Sequence, residues 1–317
     1  MKSIRTLMVL TAVGATSIAF HVHGQLLYSE AFDSSGSANV VGNTTGGANM
    51  EVRYVDYSSF MVGSQSFSIP EAPGSAVVGG LATRGVLMRS TYDGTARIAN
   101  LFPAAGPGGS PLTFSGSYSL SFDMWLSLDP TATTASAGTT EVGIWGIGTD
   151  NNTPIGRTYR SSVKGTWGWL SVDGGFGSTV NNGDAAFRSN GVQVAILENP
   201  TQPANWQAAW PNNPNLPGTT PIVNPPWNSW TSVEVTAIEG EVSVKFNGVE
   251  FFKYADMPTT GFAVIGYEDP FTGSTSFSPD WQWGLFDNIR IVAIPEPSSL
   301  GLMLLSGLLG LFGRRRS

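Results

Sequence analysis

Residues 117–128 read SYSLSFDMWLSL, and the alternation in this stretch decides the fold. Tyr118, Leu120, Phe122, Met124, Leu126 and Leu128 fall on one face of an extended chain, with Ser119, Ser121, Asp123 and Ser127 on the other. A period of two, with one apolar and one polar face, is that of a strand in a sheet packed on one side and wet on the other. Similar runs occur at Met50–Tyr54, Gly85–Met88, Glu141–Ile147, Gly165–Val172, Gly191–Leu197, Thr231–Ile238, Glu241–Phe246, Val249–Tyr254, Gly261–Tyr267 and Leu285–Val292. No apolar period of 3.6 persists between the chain's two ends, so the middle is expected to be all-β, an antiparallel sandwich of two sheets. Asn247-Gly248 supplies the two positive φ angles of a tight hairpin, and Glu234 with Lys245 reads as an ordinary cross-strand ion pair.

Composition agrees with one large domain. The chain has 317 residues, of which 41% are hydrophobic, enough for a single core. Gly and Pro are frequent, at 39 and 20, but below the range of disordered chains. With no cysteine, such a domain is held by its core alone.

The first residues read as a secretion signal. Lys2 and Arg5 precede an apolar run from Leu7 to Phe20, and Val22 with Gly24 forms a small-residue site, placing cleavage after Gly24. The run is too short to serve as an unaided membrane anchor. Its removal has a chemical consequence, because His21 and His23 are the only histidines. A mature chain without His or Cys excludes Ser-His-Asp and Cys-His nucleophile systems and His or Cys zinc sites. With Lys2, Arg5, Arg314, Arg315 and Arg316 confined to the ends, the domain between them is strongly acidic and repels phosphate backbones. Nucleic acid is not an expected partner.

At the other end, Pro295, Glu296, Pro297, Ser298 and Ser299 lead into an apolar stretch from Leu300 to Phe312, closed by Arg314, Arg315 and Arg316. Prolines give an extended, protease-accessible spacer. The apolar stretch can enter a bilayer as a helix, and the arginines favour the cytoplasmic side. It is shorter than the roughly 17 to 25 residues of a full span, and Gly301, Gly307, Gly310 and Gly313 weaken it, which suits a transient anchor. Three terminal arginines fit badly with the alternative, a buried core helix. These residues resemble the PEP-CTERM sorting tails of exported proteins in Gram-negative bacteria. The resemblance implies recognition of Pro295, Glu296 and Pro297 by an exosortase-type membrane protease, with cleavage nearby. The expected organisation is a signal helix over 1–24, a sandwich over 25–293 and a sorting segment with a hydrophobic helix over 294–317.

A second resemblance concerns fold. Trp230, Val233, Val235, Val244, Phe246, Asn247, Gly248 and Val249, then Phe262, Ile265 and Gly266, then Phe286, Asp287, Asn288 and Ile289 look like the closing strands of concanavalin-like, laminin-G-type jelly rolls. In that architecture the last strand pairs near the first, here Leu26–Phe32, so signal and tail would attach beside the same sheet.

Some concanavalin-like folds are retaining glycoside hydrolases, whose two carboxyls stand about 5 to 5.5 Å apart. No strand carries such a pair in its own sequence, and Glu141, Asp123 and Asp129 read as isolated. The segment from Glu198 to Trp230 reads as a long irregular loop, in which Trp206, Trp210 and Trp227 are candidates for stacking on sugar rings, while Trp230, at a strand start, reads as core. No organic cofactor is implied. Turns at Asp150, Asp173 and Asp184 are candidates for a structural calcium, although Asp, Asn and Gly are also the usual turn residues. The function these features favour is a non-catalytic surface or extracellular-matrix protein, transiently anchored in the membrane by its tail, that contacts carbohydrate or envelope components. The alternative is a carboxylate-based polysaccharide hydrolase or lyase, which two carboxyls facing one another across a groove would favour.

Overall fold

The computed structural model describes residues 24–33, 38, 40–45, 50–79, 81–90, 97–130, 141–150, 154–157, 163–172, 184–197, 199, 203–215, 224–270 and 279–295. The expected signal helix and C-terminal hydrophobic helix lie outside these residues. In chain order the elements are β1 (Leu26–Glu30), β2 (Val40–Thr45), β3 (Met50–Asp56), β4 (Phe60–Val62), β5 (Gln65–Phe67), the one-turn helix α1 (Ser75–Val78), β6 (Arg84–Ser90), β7 (Arg97–Pro103), β8 (Thr113–Phe114) and β9 (Tyr118–Leu126). They continue with β10 (Val142–Thr149), β11 (Thr166–Ser171), β12 (Ala185–Ser189), β13 (Val192–Leu197), α2 (Pro203–Ala209), β14 (Trp230–Ile238), β15 (Glu241–Phe246), β16 (Val249–Tyr254), β17 (Gly261–Asp269) and β18 (Trp283–Ala293).

The strands form a two-sheet antiparallel jelly-roll sandwich. The first sheet runs β16-β15-β14-β9-β18-β6-β3, with β1 beside the C-terminal half of β18. The second runs β13-β12-β11-β10-β17-β7-β2, with β8 on β17, and β4 and β5 make a separate small hairpin. The alternation of β9 delivers Tyr118, Leu120, Phe122, Met124 and Leu126 to the central core, where Val86, Trp145, Val235, Phe246 and Ile265 join them. Asn247 and Gly248 turn the β15–β16 hairpin at φ 48° and 79°, and Glu234 stands opposite Lys245, with Nζ 3.2 Å from Oε1.

The wet outer face expected of β9 is instead covered. The segment after β3 folds back over the first sheet and builds a second small core from Tyr57, Phe60, Phe67, Leu87, Trp283 and Leu285, and Asp123 is only 3% exposed. The outer face of the second sheet carries a third core of Ile98, Ile144, Trp167, Trp169 and Val264. Burial on both faces explains why β10 and β11 read as near-continuous apolar runs. It also explains Gly168, where a Cβ would overlap the Ala186 carbonyl and the Trp145 ring. The strands without a sequence expectation, β7 and β12 among them, are short or apolar on both faces and so lack alternation.

The first and last strands pair, Leu26 opposite Val292 and Glu30 opposite Ile289. Ala293 N–H donates to the Gln25 carbonyl and Ile294 N–H to the Ser117 carbonyl, each at 2.8 Å. The two ends of the sandwich therefore leave the same sheet side by side.

Candidate functional site

The chemistry-bearing residues of the first sheet collect on its outer face where β14, β9 and β18 run together. Pairing places two adjacent rows across these strands. One holds Ser232, Asp123 and Asp287, and the next holds Lys245, Glu234, Ser121 and Arg290. Register slips between Asp287 and Arg290, where Asn288 takes φ 56°. Asparagine tolerates this left-handed conformation better than most residues, and the resulting bulge lets Phe286 and Ile289 both reach the core, leaving Asp287 and Asn288 on the outside.

The first row is a latch for the covering segment. Asp123 accepts from Ser232 Oγ at 2.8 Å, Gly74 N–H at 2.7 Å and Asn288 Nδ2 at 3.0 Å, a set of donors that suits a carboxylate. Asp287 accepts from Asn288 N–H at 2.7 Å, and its other oxygen lies 2.8 Å from the Tyr57 hydroxyl. That hydroxyl also stands 2.8 Å from the Ala82 carbonyl and accepts from Ala72 N–H at 3.2 Å. A phenol has one proton and here two oxygen neighbours besides its N–H donor. The contacts close if Tyr57 donates to Ala82 and a protonated Asp287 donates to Tyr57. The electrostatics agree: burial, reinforced by the nearby Asp123 and Asp33 carboxylates, pushes the Asp287 carboxyl up to about 8. Burial likewise raises the Tyr57 hydroxyl above its ordinary range.

The expectation that Asp123 is isolated is thus corrected. It faces Asp287 across β9 and β18, a pairing invisible in sequence because 164 positions separate the two. Asp123, 3% exposed, lies at the margin of the adjoining groove, and the oxygens of both carboxyls are already engaged, those of Asp123 by Gly74, Ser232 and Asn288 and those of Asp287 by Tyr57 and Asn288 N–H.

The second row is open. It floors a groove of about 190 Å³ between the strands and α1, with Val77 and Val78 on one side and Ser121, Ser232, Glu234 and Arg290 among the lining residues. Glu234 and Arg290 flank Ser121 from neighbouring strands, two strand spacings or about 10 Å apart. Glu234 is held by Lys245, whereas the Arg290 guanidinium makes no hydrogen bond or ion pair among the described residues. The groove therefore offers an acceptor, a small hydroxyl and a charged donor beneath an apolar wall.

The tryptophan candidates separate. Trp206 is fully buried and Trp210 is 3% exposed, so neither presents a face to a sugar. The segment expected to be irregular contains α2, which packs Trp206 edge-on against Phe251 at 5.4 Å and sets Trp210 6.3 Å from Phe246. Trp210 Nε1 donates to Thr231 Oγ1 at 3.1 Å. Pro203 at the helix start and Trp206, Ala209 and Trp210 at helical spacing were the signal for this. Trp227 is half-buried, with Nε1 donating to the Pro214 carbonyl at 3.3 Å. Trp230 is half-buried against Tyr57 and Trp125.

Asp150 follows β10 at the end where β11 begins, and Asp184 precedes β12 at the opposite end, so the two cannot share a cation. Asp184 accepts from Asn199 N–H. Asp173 lies outside the described residues, and no group of three or more potential metal ligands occurs among those described. Glu296, Pro297 and Arg314–Arg316 also lie outside, while Pro295 immediately follows the last sheet hydrogen bonds.

Residues 293–316 match the model of the PEP-CTERM protein-sorting motif. No curated protein matches the chain. Among solved structures, the chain is similar to a protein of unknown function with a galectin-like fold from Bacillus subtilis, at 9% identity and TM-score 0.43, over 86% of this chain and 98% of that one. The exoplasmic/lumenal domain of VIP36 in its Ca2+/Man2-bound form gives 11% identity and TM-score 0.42 over 86% and 90%. Alginate lyase AlgAT5 of polysaccharide lyase family 7 gives 14% identity and TM-score 0.36 over 66% and 77%.

Proposed function

We propose that this chain is an exported surface or matrix protein whose sandwich is the cargo of its sorting tail and contacts glycan without catalysing its breakdown. The observation that carries the reading is the position of the sorting motif: its match begins at Ala293, the last residue of β18, so the whole two-sheet unit precedes it. In this reading a signal peptidase cuts after Gly24. The tail then anchors the domain transiently, and an exosortase-type protease cuts near Pro295, Glu296 and Pro297.

Glycan contact is assigned to the open row on the first sheet. Glu234 accepts sugar hydroxyls, Arg290 donates to hydroxyls or to a uronate carboxylate, and Val77 and Val78 cover the apolar C–H face. A non-catalytic role is supported by the state of the Asp123 and Asp287 pair, whose oxygens are already engaged by Ser232, Gly74, Asn288 and Tyr57.

The test is titration of the mature protein with neutral and uronate-bearing bacterial and algal polysaccharides, read by calorimetry. Binding that weakens about tenfold in Arg290→Ala is expected. Binding to none of them, together with self-assembly, would favour a purely structural role. Release of reducing ends or unsaturated sugars, abolished by Asp287→Asn, would favour the enzymatic alternative.

A further inference from the structure

We infer that, while the tail is inserted in the membrane, the end of the sandwich from which it leaves is seated against the lipid headgroups. This rests on the reading of residues 300–312 as an anchor and adds an orientation and a surface to it.

The argument begins with tether length. Ile294 N–H is bonded to the Ser117 carbonyl, so the sheet holds the chain up to Ile294, and the apolar stretch begins at Leu300. Five residues, 295–299, separate them, and a fully extended chain of five spans at most about 18 Å. The headgroup layer of one leaflet takes roughly 5 to 8 Å of this. What remains is too short for the domain to turn another side to the bilayer.

The surface at that end suits such an apposition. A seam of hydrogen bonds identifies its members: Ser117 Oγ accepts from Glu239 N–H at 3.3 Å, the Gly240 carbonyl from Met257 N–H at 2.9 Å, and the Pro258 carbonyl from Thr166 Oγ1 at 2.8 Å. Among the described residues, Leu26, Leu27, Met61, Val77, Leu81, Val192 and Ile238 are the exposed large hydrophobics. Four of them, Leu26, Leu27, Val192 and Ile238, lie at the ends of strands on this side. The adjoining stretch 103–118 contains no charged residue. Glu239 and Asp256 also sit at this end, so the contact is a shallow interfacial one maintained by the tether, with no insertion of the strands.

The chain has no cysteine, so single labels can be placed cleanly. Full-length Leu26→Cys, Ile238→Cys and Met61→Cys would each carry a polarity-sensitive fluorophore, in phosphatidylethanolamine/phosphatidylglycerol vesicles containing nitroxide-headgroup lipid. Met61 is the control, because its hairpin reaches Asp280, near the start of β18, through Ser64 N–H at 3.0 Å, about 30 Å along that strand from the tail. Quenching at 26 and 238 is expected to exceed that at 61 several-fold. It should disappear when about twenty Gly/Ser residues, long enough by chain reach to free the domain, are inserted after Ile294, with sedimentation on vesicles unchanged. Sedimentation with equal quenching at the three positions, or with the strongest at 61, would overturn the orientation. Failure to sediment at all would overturn the anchor reading, and the orientation with it.

Discussion

Helix α2 and the outer face of the first sheet differ in composition and in exposure, in opposite directions. The helix carries Trp206, and Trp210 follows it directly; these are the side chains best suited to stacking on a sugar, and both are closed into the core against Phe246 and Phe251. The sheet face carries Ser121, Glu234 and Arg290, unremarkable as residue types, and leaves them lining an open groove. Residue type marks what a side chain could contact. Whether it does so depends on what the fold lays over it, and here the covering segment over β9 and β18 stops one row short of Arg290.

Substitutions on the two sides should therefore separate stability from binding. Trp206→Ala has the largest expected effect, a loss of about 3 to 5 kcal/mol from an uncollapsed core cavity, read from denaturant midpoints, with glycan affinity of the remaining folded protein unchanged. Asp123→Ala comes next. It takes the acceptor from Gly74 N–H and the Ser232 hydroxyl and one of two acceptors from the Asn288 amide, for a loss of about 2 to 4 kcal/mol.

Asp287 sharpens the comparison through pH. Its carboxyl sits near 8 in the fold against an unfolded value near 4, so the folded state holds more protons between these limits. Its contribution to stability is fully present below about pH 4, declines as pH rises towards about 8 and is flat beyond, with a slope of at most about 1.4 kcal/mol per pH unit. Asp287→Asn reproduces the protonated pattern, with the amide donating to Tyr57 and its oxygen accepting from Asn288 N–H. It should match the parent near pH 4, exceed it near pH 9, and flatten the stability profile between. An unchanged slope would place the proton elsewhere. Arg290→Ala has the smallest structural effect, within about 0.5 kcal/mol, yet should weaken glycan binding about tenfold, the cost of a lost charge-assisted hydrogen bond.

The parts of this molecule legible in sequence are those fixed by neighbours in the chain. The alternation of 117–128 places β9 correctly, and Asn247-Gly248 turns its hairpin because both angles are local. The latch was not legible. It joins Tyr57, Gly74, Asp123 and Asp287, brought together by the fold-back of the segment after β3, and the bulge at Asn288 is set by what it reaches across β9. The groove was missed for the same reason, since Glu234, Ser121 and Arg290 form a row only after three strands pair. The tryptophans of α2 failed in the other direction: their helical spacing lay inside a Pro- and Asn-rich stretch that reads as loop.

The central claim is that the sandwich is exported, held briefly by its tail and cleaved from it at the edge of its first sheet. The intact mass of the mature protein from its native host tests this most directly. A chain beginning at Gln25 and ending close to Pro297 is predicted; a mass that retains Arg314, Arg315 and Arg316 would contradict the account.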